Sequence, residues 1–422
     1  MTAVVSNLEK INTMKMLDDR TIEIVKSTVP VLQVHGEAIT RRFYERLFEA
    51  HPELLNMFNH AHQQQGQQQM ALANAVYAAA QHIDNLSAIL PSVRQIGHKH
   101  RGLGVKKEHY PVVGENLLLA IQDVLGSAAT PDILAAWEKA YGVIASTFMQ
   151  MEQQFDEQAS AQPGGWSGFR SFQVKRKVKE SDVITSFYLE PVDQGAIAYF
   201  IPGQYITVRV QPKDQPFVHL RQYSLSDAPG LPYYRISVKK ESAIQEKPAG
   251  VVSSYLHEQI GVGDVIEVSA PAGVFTLDRS HDLPIVLISG GVGLTPMISM
   301  LNTLIQSGDK RPIVYIHAAL QGSVHAFANH VEELAETHSH LSVYTIYEKP
   351  TVEDEALQRH QLSGYITDDF LRPLVPQNAD VYFCGPTPFM QAVYRILHSI
   401  GIQEDRIHYE FFGPEGVLTN LT

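Results

Sequence analysis

The chain has 422 residues, of which 44% are apolar and 18% are charged, and it is too long to fold around one hydrophobic core. Its formal net charge is -12, and no run of lysine and arginine is long enough to follow a phosphate backbone, so we expect no nucleic-acid partner. The single cysteine, Cys384, excludes an intrachain disulfide and is typical of a reducing compartment. We find no signal-peptide pattern and no apolar run of membrane-spanning length, and we therefore expect a cytoplasmic protein.

The spacing of apolar residues changes twice along the chain. Up to about Phe155 they recur every three or four positions, most clearly after Pro131, which predicts an all-α region. Beyond the glycine-rich cluster 163–168 the period shortens toward two, as in 205–210, which predicts a β-rich region. From Pro284 short apolar strands alternate with helical segments, as in α/β units around a parallel sheet. We predict three domains, spanning 1–160, 166–280 and 281–422.

Helical spacing separates two histidines of the all-α region. Within 93–103 an apolar helical face includes His100, whereas His98 points away from that face. An imidazole on an apolar face can bind haem iron when an acceptor holds its second ring nitrogen, because that bond fixes the tautomer and strengthens the ligand. Tyr110 and Glu152 are candidates for this support. By spacing alone this signal is weak, because an exposed glutamate near a helix end is solvated far more often than it is functional.

Two other polar side chains lie on apolar helical faces. Tyr44 precedes Leu47 by three residues, and Gln68 precedes Leu72 by four. Both could donate a hydrogen bond to a diatomic molecule at a haem iron. Simpler interpretations are a core tyrosine with a satisfied hydroxyl group and one of many glutamines in a polar run.

A tetrapeptide in the β-rich region is suited to a flavin dinucleotide. The sequence Arg221-Gln222-Tyr223-Ser224 offers a guanidinium for pyrophosphate, an aromatic ring for the isoalloxazine and a hydroxyl for its edge. The tetrapeptide comes shortly after the sequence Pro202-Gly203-Gln204-Tyr205. Further on, Gly250 precedes a serine-containing segment that is typical of a phosphate-receiving helix start.

A glycine loop begins the α/β region. It follows the apolar strand 284–289 and leads into a helix start, as the sequence Gly290-Gly291-Val292-Gly293-Leu294-Thr295-Pro296. Glycines let the backbone approach a pyrophosphate closely, and a helix N-terminus is positive. The loop lacks the full G-x-G-x-x-G pattern, so an ordinary glycine turn is the alternative.

Several all-α segments resemble the globin domain of flavohaemoglobins. They are Phe43-Tyr44, Pro52 to Asn59, Gly97 to His100, His109 to Glu115 and Ala140 to Val143. The resemblance implies that His100 is the proximal haem ligand and that Tyr110 and Glu152 form its hydrogen-bond relay. It also implies further roles, namely a distal pocket of Tyr44, Gln68 and Leu72, haem packing by Phe58 and redox tuning by Tyr44 and Lys99.

The remaining motifs resemble ferredoxin-reductase-like proteins in order and spacing. There the matches to Arg221 through Ser224, Gly291 through Pro296 and Cys384 through Pro386 mark FAD, the NAD(P) pyrophosphate and the nicotinamide loop. The resemblance places Cys384 near the hydride path, and a buried structural cysteine is the alternative. The end of the chain matches the flavohaemoglobin segment that covers the flavin, with Glu410 tuning the flavin potential. The resemblance implies an antiparallel β-barrel for FAD and these further cofactor contacts: Tyr205, Phe411, Phe412, Gly413 and Pro414.

Together these resemblances imply a nitric oxide dioxygenase with haem b, FAD and NADH or NADPH as cofactors and O2 and NO as substrates. The alternatives are a haem-dependent reductase of peroxide or lipid hydroperoxide and an O2 sensor or store with a maintenance reductase. We expect a monomer that prefers NADH. Two departures from the family are Gly290, where relatives carry alanine, and the loop 241–250, which lacks the common glycine pair.

Overall fold

The computed structural model describes residues 17–58, 66–243, 248–413 and 418. It divides into two compact units, one formed by residues 1–161 with 213–220 and the other by residues 162–212 with 221–422. The predicted order of an all-α part, an antiparallel β part and an α/β part is confirmed. Within the described residues, no helix is both long and apolar enough to cross a membrane.

In the part of the chain that the structure describes, the N-terminal region contains six α-helices. Asp18 caps the first of them by accepting a hydrogen bond from the Thr21 backbone over 2.9 Å, and this bond lowers the pKa of Asp18 to about 2. The second helix packs against the third and fifth, and the sixth packs against the first, fourth and fifth. The helices are α1 (Asp19–Ser27), α2 (Val29–Ala50), α3 (Gln67–Gln81), α4 (Leu90–Leu103), α5 (His109–Leu125) and α6 (Pro131–Ala161).

The β part is a six-stranded sheet in the order β4-β3-β6-β1-β2-β5. Leu225, directly after β4, forms a bridge with Ile236 of β5, so the two edge strands meet and the sheet closes as the predicted barrel. Its strands are β1 (Phe169–Lys179), β2 (Ile184–Pro191), β3 (Tyr205–Val210), β4 (His219–Ser224), β5 (Tyr234–Lys239) and β6 (Val265–Ser269), and helix α7 (Val251–Glu258) precedes β6.

The α/β part contains a parallel sheet in the order β10-β9-β8-β7-β11-β12. Its strands are β7 (Ile285–Gly290), β8 (Ile313–Ala319), β9 (Leu341–Tyr347), β10 (Leu362–Ser363), β11 (Asp380–Cys384) and β12 (Ile407–Glu410). The helices are α8 (Leu294–Gln306), α9 (Ala328–Thr337), α10 (Val352–Leu357), α11 (Asp368–Leu371) and α12 (Thr387–Ser399). Strand order reverses between β7 and β11, and a crevice at such a reversal is where α/β sheets bind ligands.

Two apolar clusters cover the faces of this sheet. Leu287 and Tyr315 on one face pack with Met297 and other residues of α8. On the opposite face, Val286 packs with Met390 and other residues of α12. Burial on both faces explains why the strands are continuous apolar runs in the sequence.

Gly114 allows α5 to pack closely against α6. A Cβ atom at this position would lie 2.5 Å from Cε1 of Tyr141, whereas at Gly142 of α6 it would meet no atom within 4 Å. We expect Gly114→Ala to lower the free energy of unfolding by about 1–3 kcal/mol, because the Tyr141 ring must move. Gly142→Ala should raise it by about 0.5–1 kcal/mol through helix propensity. Urea denaturation followed by circular dichroism measures both, and equal effects of the two changes would contradict the packing argument.

Candidate active site

The His100 imidazole of α4 is held by a buried carboxylate from α6. Its Nδ1 atom lies 2.8 Å from Oε1 of Glu152, and the Tyr110 hydroxyl group donates to the same oxygen over 2.5 Å. Nδ1 also lies 3.3 Å from the Tyr110 oxygen, so the three side chains form one closed group. Because a carboxylate only accepts, Nδ1 carries the ring proton and Nε2 is the nitrogen available to a metal.

Burial determines how this group can act. Glu152 is 9% exposed, whereas 32% of the His100 side chain remains exposed. Burial, and secondly the charge of Glu152, raise the pKa of Tyr110, so its hydroxyl group stays protonated and donates. The Tyr141 hydroxyl group fixes the backbone here by donating to the Tyr110 carbonyl over 2.6 Å. An imidazole oriented by a carboxylate and otherwise open fits an axial ligand of haem iron.

The two histidines that the sequence separates have different neighbours. The His98 ring stacks on the Phe155 ring with a centroid separation of 4.0 Å. Burial lowers the pKa of His98 to about 3, so this ring is neutral. Lys99, between the two histidines, is partly buried.

Tyr44 and Gln68 come together from α2 and α3. Tyr44 is 5% exposed, and its ring stacks on Phe48 and meets Phe58 edge-on, with centroid separations of 5.7 and 5.6 Å. Burial raises the pKa of Tyr44, while a hydrogen bond with Gln68 opposes that effect, so the hydroxyl group is protonated and already partnered. Leu72 belongs to the same apolar cluster. Of the three residues predicted for the distal pocket, Tyr44 and Gln68 thus meet at one buried hydroxyl group, and Leu72 is a partly buried member of the surrounding apolar cluster.

Arg221, Gln222, Tyr223 and Ser224 form the end of β4. Burial lowers the pKa of Arg221 and raises that of Tyr223. Among the described residues, the buried Gln222 Nε2 atom has no hydrogen-bond partner. A buried amide donor left unpaired costs free energy that a ligand acceptor recovers, and the edge of a flavin ring offers such acceptors. The tetrapeptide therefore fits FAD, and Tyr205 lies nearly buried at the start of β3.

The predicted phosphate-receiving helix is α7, and it begins directly after Gly250. The Ser253 hydroxyl group donates to the Gly250 carbonyl over 3.2 Å and accepts from the Glu241 backbone over 3.2 Å. These bonds fix the turn that enters the helix. Residues 244–247 of the divergent loop lie outside the described residues.

The glycine loop after β7 continues directly into α8. Gly291 has a φ of +53°, and a Cβ atom there would meet no atom within 4 Å. Gly293 has a different constraint, because its Cβ atom would lie 2.2 Å from the Cys384 carbonyl oxygen. The loop thus leaves an open backbone position beside a helix N-terminus, which fits a pyrophosphate. The other predicted positions are Val292, which is partly buried, and Leu294, Thr295 and Pro296, which are buried in the first turn of α8.

Cys384 is a core residue of β11. Burial, and secondly the charge of Glu410, raise the pKa of the Cys384 thiol, so it stays protonated. Glu410 is its register partner on β12 and is 9% exposed. The thiol is fully buried in the apolar cluster that includes α8, which favours the structural interpretation of this cysteine.

The segment after β12 gives its two phenylalanines different positions. Phe411 packs in the apolar cluster that includes α12, whereas Phe412 is 46% exposed. Gly413 follows with a φ of +148°. Pro414 lies outside the described residues. Of the predicted flavin cover, Phe412 is therefore the ring that a ligand can reach.

Comparisons with known proteins agree with this arrangement. The chain matches family models for Globin (residues 41–148), Oxidoreductase FAD-binding domain (171–277) and Oxidoreductase NAD-binding domain (287–395). The flavohemoprotein of Bacillus thuringiensis subsp. konkukian is 54% identical, over 96% of this chain and 100% of its own length. The chain belongs to the flavohemoprotein family. A second flavohemoprotein, from Bacillus subtilis, is 53% identical over 95% of this chain and 98% of its own.

Solved structures extend the comparison. A flavohemoglobin from Malassezia yamatoensis with bound FAD and haem superposes with a TM-score of 0.82 at 26% identity, covering 94% of this chain and all of its own. The FAD/NAD-binding domain of a nitric oxide dioxygenase from Vibrio cholerae has a TM-score of 0.53 at 38% identity, covering 58% of this chain and 99% of its own. The predicted fold class, the cofactors haem, FAD and a nicotinamide nucleotide, and oxidoreductase activity are thereby confirmed for this flavohemoprotein.

Sequence reasoning missed the residues that hold the predicted site residues in place by hydrogen bonds. Tyr141 fixes the Tyr110 backbone, and Asp227 pairs with Asn302 of α8 over 2.8 Å. A weak signal for the second pair was present, because Ser299 and Asn302 are polar residues three apart in a helix whose other residues are mostly apolar.

Replacing Glu152 with glutamine keeps an acceptor for Nδ1 of His100 but removes the negative charge. We expect haem to stay bound and the iron–histidine stretching frequency of the ferrous protein to fall, because a neutral acceptor makes the imidazole a weaker donor. Resonance Raman spectroscopy measures this frequency. Glu157→Gln, an exposed change on the same helix, is the control. If Glu152→Gln leaves the frequency at the control value, the carboxylate does not act on the ligand.

Proposed function

We propose that this flavohemoprotein is a nitric oxide dioxygenase. The observation that carries the proposal is the closed group of His100, Glu152 and Tyr110. When bound, the nicotinamide nucleotide supplies electrons in pairs, FAD passes them on singly, and haem b supplies the iron at which O2 converts NO to nitrate. The Vibrio cholerae nitric oxide dioxygenase, 38% identical in its FAD/NAD-binding domain, supports the same reaction.

On the proximal side, the residues favour oxygen activation over storage. The Glu152 carboxylate accepts the Nδ1 proton of His100 and thereby increases the electron donation of Nε2. Tyr110 donates to the same carboxylate oxygen and keeps it in place. A more strongly donating axial ligand favours cleavage chemistry at a haem, so this arrangement supports an enzyme.

On the distal side, we assign Tyr44 as the hydrogen-bond donor to bound substrate. Its raised pKa keeps the hydroxyl proton in place, and Gln68 orients that hydroxyl group. The rings of Phe48 and Phe58 surround it with apolar surface and limit competition by water. A donor in such a dry site stabilises negative charge on oxygen more strongly than it would in water. Leu72 shapes the same cluster.

We assign the reductase residues to electron entry. Arg221 holds the FAD pyrophosphate, Tyr223 packs on the isoalloxazine ring, and Gln222 donates its unpaired amide hydrogen to the ring edge. The turn at Gly291 and the start of α8 receive the pyrophosphate of NADH or NADPH. Lys99 and Glu410 are assigned to redox tuning of haem and flavin. Cytoplasmic location, a monomeric state and NADH preference stay predictions from the sequence.

Consumption of NO by the purified protein loaded with haem and FAD tests the proposal. We expect NADH- and O2-dependent loss of NO with equivalent formation of nitrate, measured with an NO electrode and by nitrate analysis. His100→Ala is the control, since it removes the iron ligand and should lose NO turnover while NADH still reduces FAD. Faster turnover of peroxide or a lipid hydroperoxide than of NO would replace the proposal with a reductase. Tight O2 binding without turnover would replace it with a store.

Tyr44→Phe tests the distal assignment. The change removes one hydroxyl group and keeps the ring packing, so we expect faster release of O2 from the ferrous protein. The expected increase is about tenfold, the effect of losing roughly 1.4 kcal/mol of hydrogen-bond energy. Flash photolysis or stopped-flow absorbance measures the rate. Tyr77→Phe, on α3, is the matched control, and an equal off-rate in both variants would remove Tyr44 from the distal pocket.

A further inference from the structure

A buried polar network joins the end of strand β4, which carries the tetrapeptide proposed to bind FAD, to helix α8, which follows the glycine loop. Asp227 follows the tetrapeptide at the end of β4 by three residues and is 8% exposed. Its carboxylate accepts from Asn302 Nδ2 over 2.8 Å and from the Tyr233 hydroxyl group over 3.1 Å, and it pairs with Arg235 at 3.3 Å. The Asp227 carbonyl accepts from the Ser299 hydroxyl group over 2.7 Å. Two bonds therefore tie one residue of the barrel to α8.

The Asn302 amide has a second partner, on α9. His330 of α9 has an Nε2 atom 2.8 Å from Oδ1 of Asn302, so both ends of this amide are partnered and its orientation is determined. Residues 294–304 of the helix are buried throughout. The helix starts directly after the glycine loop, and a shift of α8 would move that loop with it.

Arg235 of β5 extends the network to α9. It is 7% exposed and donates to the Ser226 carbonyl and, over 3.3 Å, to the Ser226 hydroxyl group. Its guanidinium lies 4.8 Å from the Phe327 ring centroid. Phe327 has a φ of +62°, which a bulky residue adopts only when its surroundings hold it there. The Phe327 ring, directly before α9, is thus held against Arg235 of β5.

We propose that Asn302 and Ser299 are positioning residues for hydride transfer. They hold α8, and with it the loop that receives the nucleotide, at a fixed distance from the strand that carries the flavin tetrapeptide. The hydride moves from nicotinamide C4 to flavin N5 with two electrons, so NADH becomes NAD+ and FAD, with one proton from solvent, becomes FADH2. The proposal rests on the electron order of the proposed function but not on the chemistry of NO.

Two physical arguments support this role. A displaced α8 would break the hydrogen bonds from Asn302 and Ser299 to Asp227, and the buried amide and hydroxyl donors would lose these acceptors, which makes alternative positions of the helix costly. Apolar contact reinforces the same position, because a Cβ atom at Gly203, just before β3, would lie 2.8 Å from Cε of Met300. Hydride transfer needs its donor and acceptor atoms in near contact, so a small shift of the helix lowers the rate.

Reduction of FAD by NADH in the absence of O2 isolates this step. We expect Asn302→Leu to lower the limiting rate of flavin reduction about tenfold at saturating NADH, and Ser299→Ala to lower it about threefold, because each loosens the donor–acceptor geometry. Thr303→Val is the matched control. Its hydroxyl group is buried on the same helix but donates within the helix, to the Ser299 carbonyl over 2.7 Å, so its rate should stay within about twofold of the native rate.

Two further measurements distinguish positioning from a purely structural role. The FAD content and FAD dissociation constant of both variants should match those of the control. The long-wavelength absorbance of reduced flavin with NAD+, which arises when the two rings stack, should be weakened in Asn302→Leu and Ser299→Ala and intact in Thr303→Val. If Asn302→Leu does not fold, the same measurements on Ser299→Ala alone test the proposal.

Flavin reduction at the control rate with intact stacking absorbance would overturn the inference. Loss of FAD from the variants together with the slower rate would also overturn it, because the network would then serve the barrel alone. If NADH fails to reduce FAD in the native protein, the electron order of the proposed function is wrong, and that result is separate from any difference between variants.

Discussion

A buried carboxylate requires donors, and Glu152 meets this requirement with two side chains from two other helices. His100 reaches it from α4 and Tyr110 from α5, so one oxygen atom fixes the relative position of three helices. Gly97 permits the close approach, since a Cβ atom there would lie 3.2 Å from the Phe155 ring. The same bond that orients the imidazole therefore also sets the packing of the helical unit.

In the second unit, close backbone contact fixes the position of the glycine loop relative to the sheet. The glycine loop after β7 lies against the end of β11, and Gly293 has no room for a side chain beside the Cys384 carbonyl. Because the two strands flank the point where strand order reverses, this contact lies where sheets of this kind bind ligands. Gly291 leaves the opposite side of the loop open. Glycine is thus required at Gly293 because a side chain would collide with β11, whereas at Gly291 it leaves space for a ligand.

Periodicity was sufficient to predict the element types, which the structure confirms, and it also favours His100 over His98 as the candidate ligand, because both inferences depend on neighbours within a few residues. It was insufficient for Glu152, which lies 52 residues from its histidine; resemblance to a family supplied that residue. The pair of Asp227 and Asn302, separated by 75 residues, came from neither source. Nor could the sequence distinguish buried Phe411 from exposed Phe412, since adjacent aromatic residues exchange roles with a small change in chain path.

The closure of the barrel has a consequence for how this protein retains its flavin. The bridge between Leu225 and Ile236 is the seam of the sheet, and it begins one residue after Ser224. Opening of the seam would therefore disrupt first the strand that we assign to FAD. A ligand that binds only the closed form stabilises that form by mass action. Bound FAD and the seam therefore stabilise each other, and the release of FAD reports the opening of the barrel at this seam.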